Sequence, residues 1–282
     1  MKTLLTRTLS GAVYVALITW AILWNDFAFA AVFAVLSALT TYEFHKLTNK
    51  QENVNALAWL GALGSVILFL LVFFQSWCNY ISCNENIIIE KFVDTSRFVF
   101  LILYLVFLLL IFLFEIFRKQ SNPIHNIAYI FFSQIYIALP FAFMNIFLWK
   151  IVAGYLFSVF VIIWVNDSFA YLFGSAFGKH KMFERISPKK SWEGFVGGLI
   201  GALIAGFVFS KFDSDLSLIQ WLIFALIIVI FGTLGDLFES LIKRTIGVKD
   251  SGNIMPGHGG FLDRFDSVIF AALPALIFLI FC

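Results

Sequence analysis

Asp167, Asp236, Glu239, Asp263 and Asp266 all stand at the ends of long apolar runs. Asp236 and Glu239 are three residues apart, as are Asp263 and Asp266, and that spacing puts each pair on one helix face. Ser240 lies beside Asp236 on the same face. A charge at membrane depth costs roughly 3 kcal/mol or more unless it pairs, binds an ion or faces water. Hard divalent cations such as Mg²⁺ take oxygen ligands, commonly one or two carboxylates together with substrate phosphates. The acids therefore fit a metal and phosphate site. The structural alternative is that they pair with Lys243, Arg244 and Arg264.

Basic and glycine-rich stretches lie close to these acids. Ser187-Pro188-Lys189-Lys190-Ser191-Trp192-Glu193-Gly194 offers adjacent cations, hydroxyls and a helix start, where free N–H groups and the helix dipole favour a phosphate. Pro256-Gly257-His258-Gly259-Gly260 lets backbone approach a ligand closely. Between them come Lys243-Arg244 and Lys249-Asp250, and the span from Gly235 to Ser267 is the densest cluster of charge and glycine in the chain. Each piece alone has an ordinary reading: a Lys pair as topology charge, a glycine cluster as a turn, His258 as a structural residue. Together they describe metal-assisted phosphoryl or nucleotidyl transfer, and at a bilayer surface the acceptor would be a lipid phosphate or alcohol. Glu43 and Glu115 lie near helix ends on the cytosolic side; Glu43 is read as solvated or snorkelling, with a contribution to a site as the alternative. His45, His125 and His180 have no ligand spacing.

These groups must be positioned by membrane helices. The chain is 61% hydrophobic and 13% charged, whereas a soluble domain carries about a quarter charged residues. About nine apolar segments approach the ~20 residues a spanning helix needs: Leu4–Trp24, Phe27–Phe44, Leu57–Trp77, Phe98–Phe117, Ile127–Trp149, Ile151–Phe173, Phe195–Phe209, Leu218–Phe238 and Phe261–Phe281. The expected fold is an all-α polytopic integral membrane protein, the first span retained. N-terminal helices fill 1–125 and a catalytic membrane domain fills 126–282, with loops at 174–193 and 239–260. With nine spans, the N-terminus and alternate loops collect most of the Lys and Arg, including Lys46, Arg118, Lys179, Lys189, Lys190, Lys243, Arg244 and Arg264, while the other side holds Lys91, Arg97, Lys150 and Lys211. Lys/Arg-rich loops are cytoplasmic, so the N-terminus and the active site are expected at the cytosolic margin, and Cys78 and Cys83 outside, as free thiols or as a pair. Gly197, Gly198, Gly201 and Gly206 in the seventh span predict close helix–helix contact.

The chain resembles the phosphatidate cytidylyltransferase (CDP-diacylglycerol synthase) family. The resemblance rests on Ser240, Lys243-Arg244, Lys249-Asp250, Pro256-Gly257-His258-Gly259-Gly260 and Asp263-Arg264-Phe265-Asp266. It extends to Asn166-Asp167-Ser168-Phe169-Ala170-Tyr171 and to the block from Ser187 to Gly194. Met255 stands where the family has another apolar residue, and Ser191 where Thr is common. The resemblance implies transfer of CMP from CTP to phosphatidic acid, giving CDP-diacylglycerol and pyrophosphate. It implies Mg²⁺, with room for a monovalent cation such as K⁺, and a homodimer in a bilayer, here expected to be a bacterial inner membrane. No nucleic-acid partner is expected. Asp236 and Asp263 are the implied metal ligands, with Asp266 close by, and Lys243 and Arg244 join them as catalytic residues. Asn166, Asp167, Ser187, Lys189, Lys190, Glu193, Ser240, Lys249, His258, Gly259, Gly260 and Arg264 are the expected substrate contacts. Two other readings stand beside this one: a CTP-dependent polyprenol or phytol kinase, and an anion transporter, against which the lack of an internal repeat argues.

Overall fold

The computed structural model describes residues 2–82, 87–149, 153–252 and 259–282. Its helices follow the apolar runs: α1 (Lys2–Trp24), α2 (Asp26–Thr48), α3 (Ala58–Ser82), α4 (Ile87–Phe117), α5 (Pro123–Ser133), α6 (Leu139–Trp149), α7 (Ala153–Phe177), α8 (Trp192–Phe209), α9 (Leu218–Thr245) and α10 (Leu262–Phe281). A π-helical turn, Gln134–Ala138, joins α5 to α6, and the composite forms one long apolar span. Among the described residues eight stretches are long and apolar enough to cross a membrane, and α1 adds a shorter apolar stretch, Leu9–Trp24. The chain is an all-α polytopic membrane protein.

Local chemistry sets the helix ends. Asn25 accepts the N–H of Ala28 at 2.7 Å and caps α2, which explains the tight turn after α1. Pro123 opens α5, where its missing N–H has no cost. Ser217 and Gln220 form a reciprocal capping box at the start of α9.

By packing, the chain forms two compact units, Met1–Ala153 with Asp250–Asp263, and Gly154–Lys249 with Arg264–Cys282. In the first, α2 and α3 pack together and α3 packs on α4 and α6. Its core stacks Phe29 on Phe33 with ring centroids 4.2 Å apart and brings Phe69 and Phe141 against them. Several buried polar groups here are matched between helices. His45 Nε2 meets Ser133 Oγ at 2.9 Å, Gln134 donates to the Gly61 carbonyl at 3.0 Å, and Tyr104 donates to Gln134 at 3.0 Å. Glu115 accepts from Asn126 and Arg118 and is buried, not solvated.

In the second unit glycine decides the packing. Gly197 and Gly201 of α8 lie against Phe173 and Phe169 of α7, and Gly198 lies against the Asn166 carbonyl. Gly206 meets the Trp221 carbonyl of α9. The glycine stripe therefore serves contacts inside the chain, seating α8 on its sequence neighbours on both sides. Trp221 is buried among Phe209, Phe224 and Tyr155, and its Nε1 donates to Asp213, as does the Tyr155 hydroxyl.

Two expected loops are partly regular. The stretch expected as a loop over 174–193 begins with the end of α7. It continues as an antiparallel hairpin, β1 (Lys181–Phe183) with β2 (Ser187–Ser191), in which Lys181 faces Ser191. The stretch expected as a loop from 239 is helical through Thr245. Hydropathy falls at Glu239, but Leu241, Ile242, Lys243 and Arg244 are sound helix formers, and the two basic residues in the last turn complement the dipole. The drop in hydropathy marks a change of surroundings and not the helix end. Cys83 and His258 lie outside the described residues.

Gly198→Leu is expected to destabilise the protein by about 1–3 kcal/mol, because a Cβ at Gly198 would meet the Asn166 side chain and also the Asn166 backbone carbonyl, which cannot rotate away. A melting curve in detergent checks this, with Val196→Leu on the exposed face of the same helix expected to melt as the wild type does.

Candidate active site

In the second unit α9 and α10 approach so closely at Gly235 that a Cβ there would strike the Asp266 carbonyl and Phe270. Gly232, one turn earlier, faces Ser267. This contact brings carboxylates from two helices together. Asp236, Glu239 and Asp266 each offer an oxygen, and these oxygens all lie within 4.8 Å of one another. Glu239 and Asp266 are buried and Asp236 is half-buried.

Basic and hydroxyl groups surround the cluster. Lys190, from β2, places its Nζ 2.5 Å from Asp236 Oδ2. Lys243, one helical turn beyond Glu239, forms an ion pair with it in the buried part of α9. Ser240 Oγ donates to Asp236 Oδ1 at 3.4 Å. Ser267 N–H donates to Asp266 Oδ1 at 2.6 Å. The expected structural alternative, pairing of the acids with nearby cations, is thus realised for Glu239 with Lys243, while the partner of Asp236 is Lys190 and comes from the hairpin.

Asp236 and Lys190 border a cleft of about 260 Å³ whose walls also carry Asn166, Asp167, Lys189 and Thr233. Asn166 Nδ2 donates to Asp167 Oδ1 at 3.3 Å. Tyr171, Met182 and Phe195 supply an apolar wall. A cleft lined by two lysines, two carboxylates and aromatic surface suits a polyanion that carries a flat or greasy appendage.

The hairpin that delivers Lys189 and Lys190 is fastened at both ends. Glu193, in the first turn of α8, accepts from the N–H groups of Lys179 and His180 at 3.1 and 3.2 Å and meets His180 Nδ1 at 2.6 Å. Ser191 caps α8 by accepting the Gly194 N–H at 3.2 Å. Arg244 donates to the Ile186 carbonyl and to the Val248 carbonyl, both at 3.2 Å. Glu193 and Arg244, both expected at substrate, are engaged in holding the loop that carries the lysines. Ser187 is half-buried at the start of β2, Lys249 is exposed beyond α9, and Arg264 is half-buried on α10.

The first unit holds the remaining motif residues. Asp263 accepts from the N–H of Gly260 at 2.8 Å and of Ser251 at 3.2 Å. Gly259 has φ +82°, a left-handed conformation that glycine adopts without strain. Glu43, expected to be solvated, is buried beside these residues and binds Ser251, Phe261 and Leu262. The signal for it was present: a lone carboxylate five residues before the end of an apolar helix needs a partner.

Residues 5–282 match the model of the Cytidylyltransferase family. The chain belongs to that family. Among curated proteins it is similar to the phosphatidate cytidylyltransferase of Staphylococcus saprophyticus, with 53% identity over 123 residues, 43% of this chain and 47% of the relative. The corresponding proteins of Staphylococcus haemolyticus and Staphylococcus aureus are 52% identical over 123 residues and 51% identical over 124, with the same shares covered. The matched stretch thus spans about half the length of these relatives. In this member of the Cytidylyltransferase family, the cleft lysines depend on the Glu193 clamp. Glu193→Gln removes the charge that holds the Lys179 and His180 N–H groups. Trypsin is expected to cut the 179–190 segment several-fold faster in that variant, and unchanged cleavage would mean that the strand ladder and Arg244 suffice.

Proposed function

We propose that this chain transfers the CMP moiety of CTP to phosphatidic acid, forming CDP-diacylglycerol and releasing pyrophosphate. The single observation that carries the reading is the carboxylate cluster of Asp236, Glu239 and Asp266 beside the lysine-lined cleft. Membership of the Cytidylyltransferase family and the name of the similar staphylococcal proteins, phosphatidate cytidylyltransferase, support this choice of substrates.

The reaction joins two polyanions. A phosphate oxygen of phosphatidate attacks the α-phosphorus of CTP, a new P–O bond forms, and the bond from that phosphorus to the oxygen bridging it to the β-phosphate breaks. The electron pair leaves with pyrophosphate. Cations must offset the repulsion on approach and the charge gathered on the leaving group. Lys189 and Lys190 border the cleft and are suited to a triphosphate, with Lys243, Arg244, Lys249 and Arg264 as the further basic groups of the motif. Ser187 and Ser240 would orient phosphate oxygens, and the backbone of Gly259 and Gly260, with His258, would approach the substrate. Tyr171 and Phe195 offer apolar surface to a base or an acyl chain.

Three carboxylates with oxygens inside 4.8 Å are a donor set that fits Mg²⁺. Asp236 would hold it with Glu239 and Asp266 beside it, while the assignment of Asp263 as a ligand rests on the motif. Bound there, Mg²⁺ would neutralise phosphate charge and act as a Lewis acid. A monovalent cation such as K⁺ beside it belongs to the same proposal. The Lys/Arg asymmetry of the loops supports a cytoplasmic N-terminus and a site facing the cytoplasm of a bacterial inner membrane. Assembly as a homodimer, which light scattering in detergent would read, completes the proposal.

The test is pyrophosphate release by the purified protein in mixed micelles of phosphatidic acid, with Mg²⁺ and with CTP or ATP supplied separately. Release is expected with CTP alone and only with lipid and metal present. CDP formed on addition of a polyprenol, without pyrophosphate, would overturn the reading in favour of a kinase. Asp236→Asn and Asp263→Asn are each expected to lower turnover about a hundredfold or more while the protein stays folded. Full activity in either would remove that residue from the ligand set.

A further inference from the structure

Glu43 lies outside the carboxylate cluster and the cleft described above, yet it is 2% exposed and its carboxylate is engaged on both oxygens. Oε1 accepts from the hydroxyl of Ser251 and from the N–H of Leu262 at 3.2 Å, and Oε2 accepts from the N–H of Phe261 at 2.9 Å. Gly252 and Gly260 press on the same carboxylate, and a Cβ on either would collide with it. One acid of α2 therefore gathers residues on both sides of the 253–258 stretch. It sits at the N-terminus of α10, where free N–H groups and the dipole favour a negative charge.

Asp263 grips the same two ends. Its carboxylate accepts from Ser251 N–H and Gly260 N–H. Ser251 joins the two acids, giving its hydroxyl to Glu43 and its amide to Asp263. The orientation of the Asp263 carboxylate is thus set by backbone that Glu43 fixes. A carboxylate held by two N–H groups keeps little rotational freedom, but only while those N–H groups stay where they are.

We propose that Glu43 is a positioning residue for Asp263: it clamps Ser251 and the first turn of α10 so that the Asp263 carboxylate is presented in one orientation to a divalent cation. The proposal rests on the reading of Asp263 as a metal ligand. A plain anchoring role would affect stability and leave metal affinity alone. A positioning role couples a residue of α2 to the binding of the ion.

The test uses the full chain in detergent and compares the wild type with Glu43→Gln, which keeps the size of the side chain and puts an amide NH₂ where a donor must be received. Without metal or nucleotide, amide exchange is expected to quicken at 250–252 and 259–262 and to stay unchanged elsewhere. Titration with Mn²⁺ followed by electron paramagnetic resonance is expected to give about tenfold weaker binding, and kcat for pyrophosphate release is expected to fall about tenfold with KM for CTP altered less than twofold. Unchanged exchange overturns the clamp. Faster exchange with unchanged Mn²⁺ affinity overturns the positioning role. A wild type that binds Mn²⁺ but releases no pyrophosphate sinks the cytidylyltransferase reading and leaves the exchange and Mn²⁺ comparisons to judge Glu43. A wild type that binds no Mn²⁺ overturns both. Should Glu43→Gln fail to fold, Ser251→Ala removes only the hydroxyl that links the two acids and is expected to shift exchange and Mn²⁺ binding in the same direction.

Discussion

A carboxylate among apolar helices must be met by a cation, a helix dipole or a set of N–H donors, because desolvation of an isolated ion costs several times what one hydrogen bond returns. The organisation of this chain follows from how that requirement is met at each acid. Glu239 is met by Lys243 on its own helix, and Asp236 by Lys190 from the hairpin. Asp263 and Glu43 are met mainly by backbone N–H groups at the start of α10. These solutions differ in what they leave available. An acid matched by N–H donors keeps its negative charge and remains able to attract a cation. An acid matched by lysine is neutralised locally, and on the proposed reading the lysine would turn to a polyanionic substrate and leave the carboxylate to a metal.

Bringing acids together takes close helix approach, and glycine supplies it. Gly235 lets α9 come up against the α10 backbone at Asp266, so Asp236 and Asp266 place carboxylate oxygens close together. Gly197, Gly198 and Gly201 do the same for α8 on α7, and α8 in turn begins at the end of the strand that carries Lys189 and Lys190. In a bilayer no hydrophobic force drives helices together, so such approach relies on van der Waals packing that a larger side chain would forfeit. The charge pattern and the glycine pattern are therefore parts of one arrangement: the glycines set the spacing at which the charges interact.

Much of this was legible in sequence. The apolar runs located the helices, because a bilayer demands length and hydropathy together, although α4 begins at Ile87 and α9 continues to Thr245, outside the runs Phe98–Phe117 and Leu218–Phe238. The spacing of Asp236 to Glu239 placed them on one face, and the glycines of α8 announced close contact. What was not legible shares a physical cause: it depends on partners remote in sequence. Glu43 reads as a helix-end acid until Ser251 and Leu262 are found beside it. Nothing in the sequence around Glu193 announces its bonds to Lys179 and His180, more than ten residues earlier. The helical continuation through Arg244 was hidden because hydropathy reports surroundings, whereas backbone conformation at 239–245 is decided by propensity and by the ion pair of Glu239 with Lys243.

The two lysines of the cleft are carried by a hairpin and not by a membrane helix. On a strand, adjacent residues point to opposite faces, and both Lys189 and Lys190 border the cleft while only Lys190 reaches Asp236. The strand is short and would not persist alone. It is held by Glu193 at its base and by Arg244 at its turn, and these two residues lie on α8 and α9, the helices that glycine packing has already fixed. Rigidity in the membrane part is thereby extended to a loop outside it. On the proposed reading, the lysines would then meet a triphosphate without first losing the conformational entropy of a free loop.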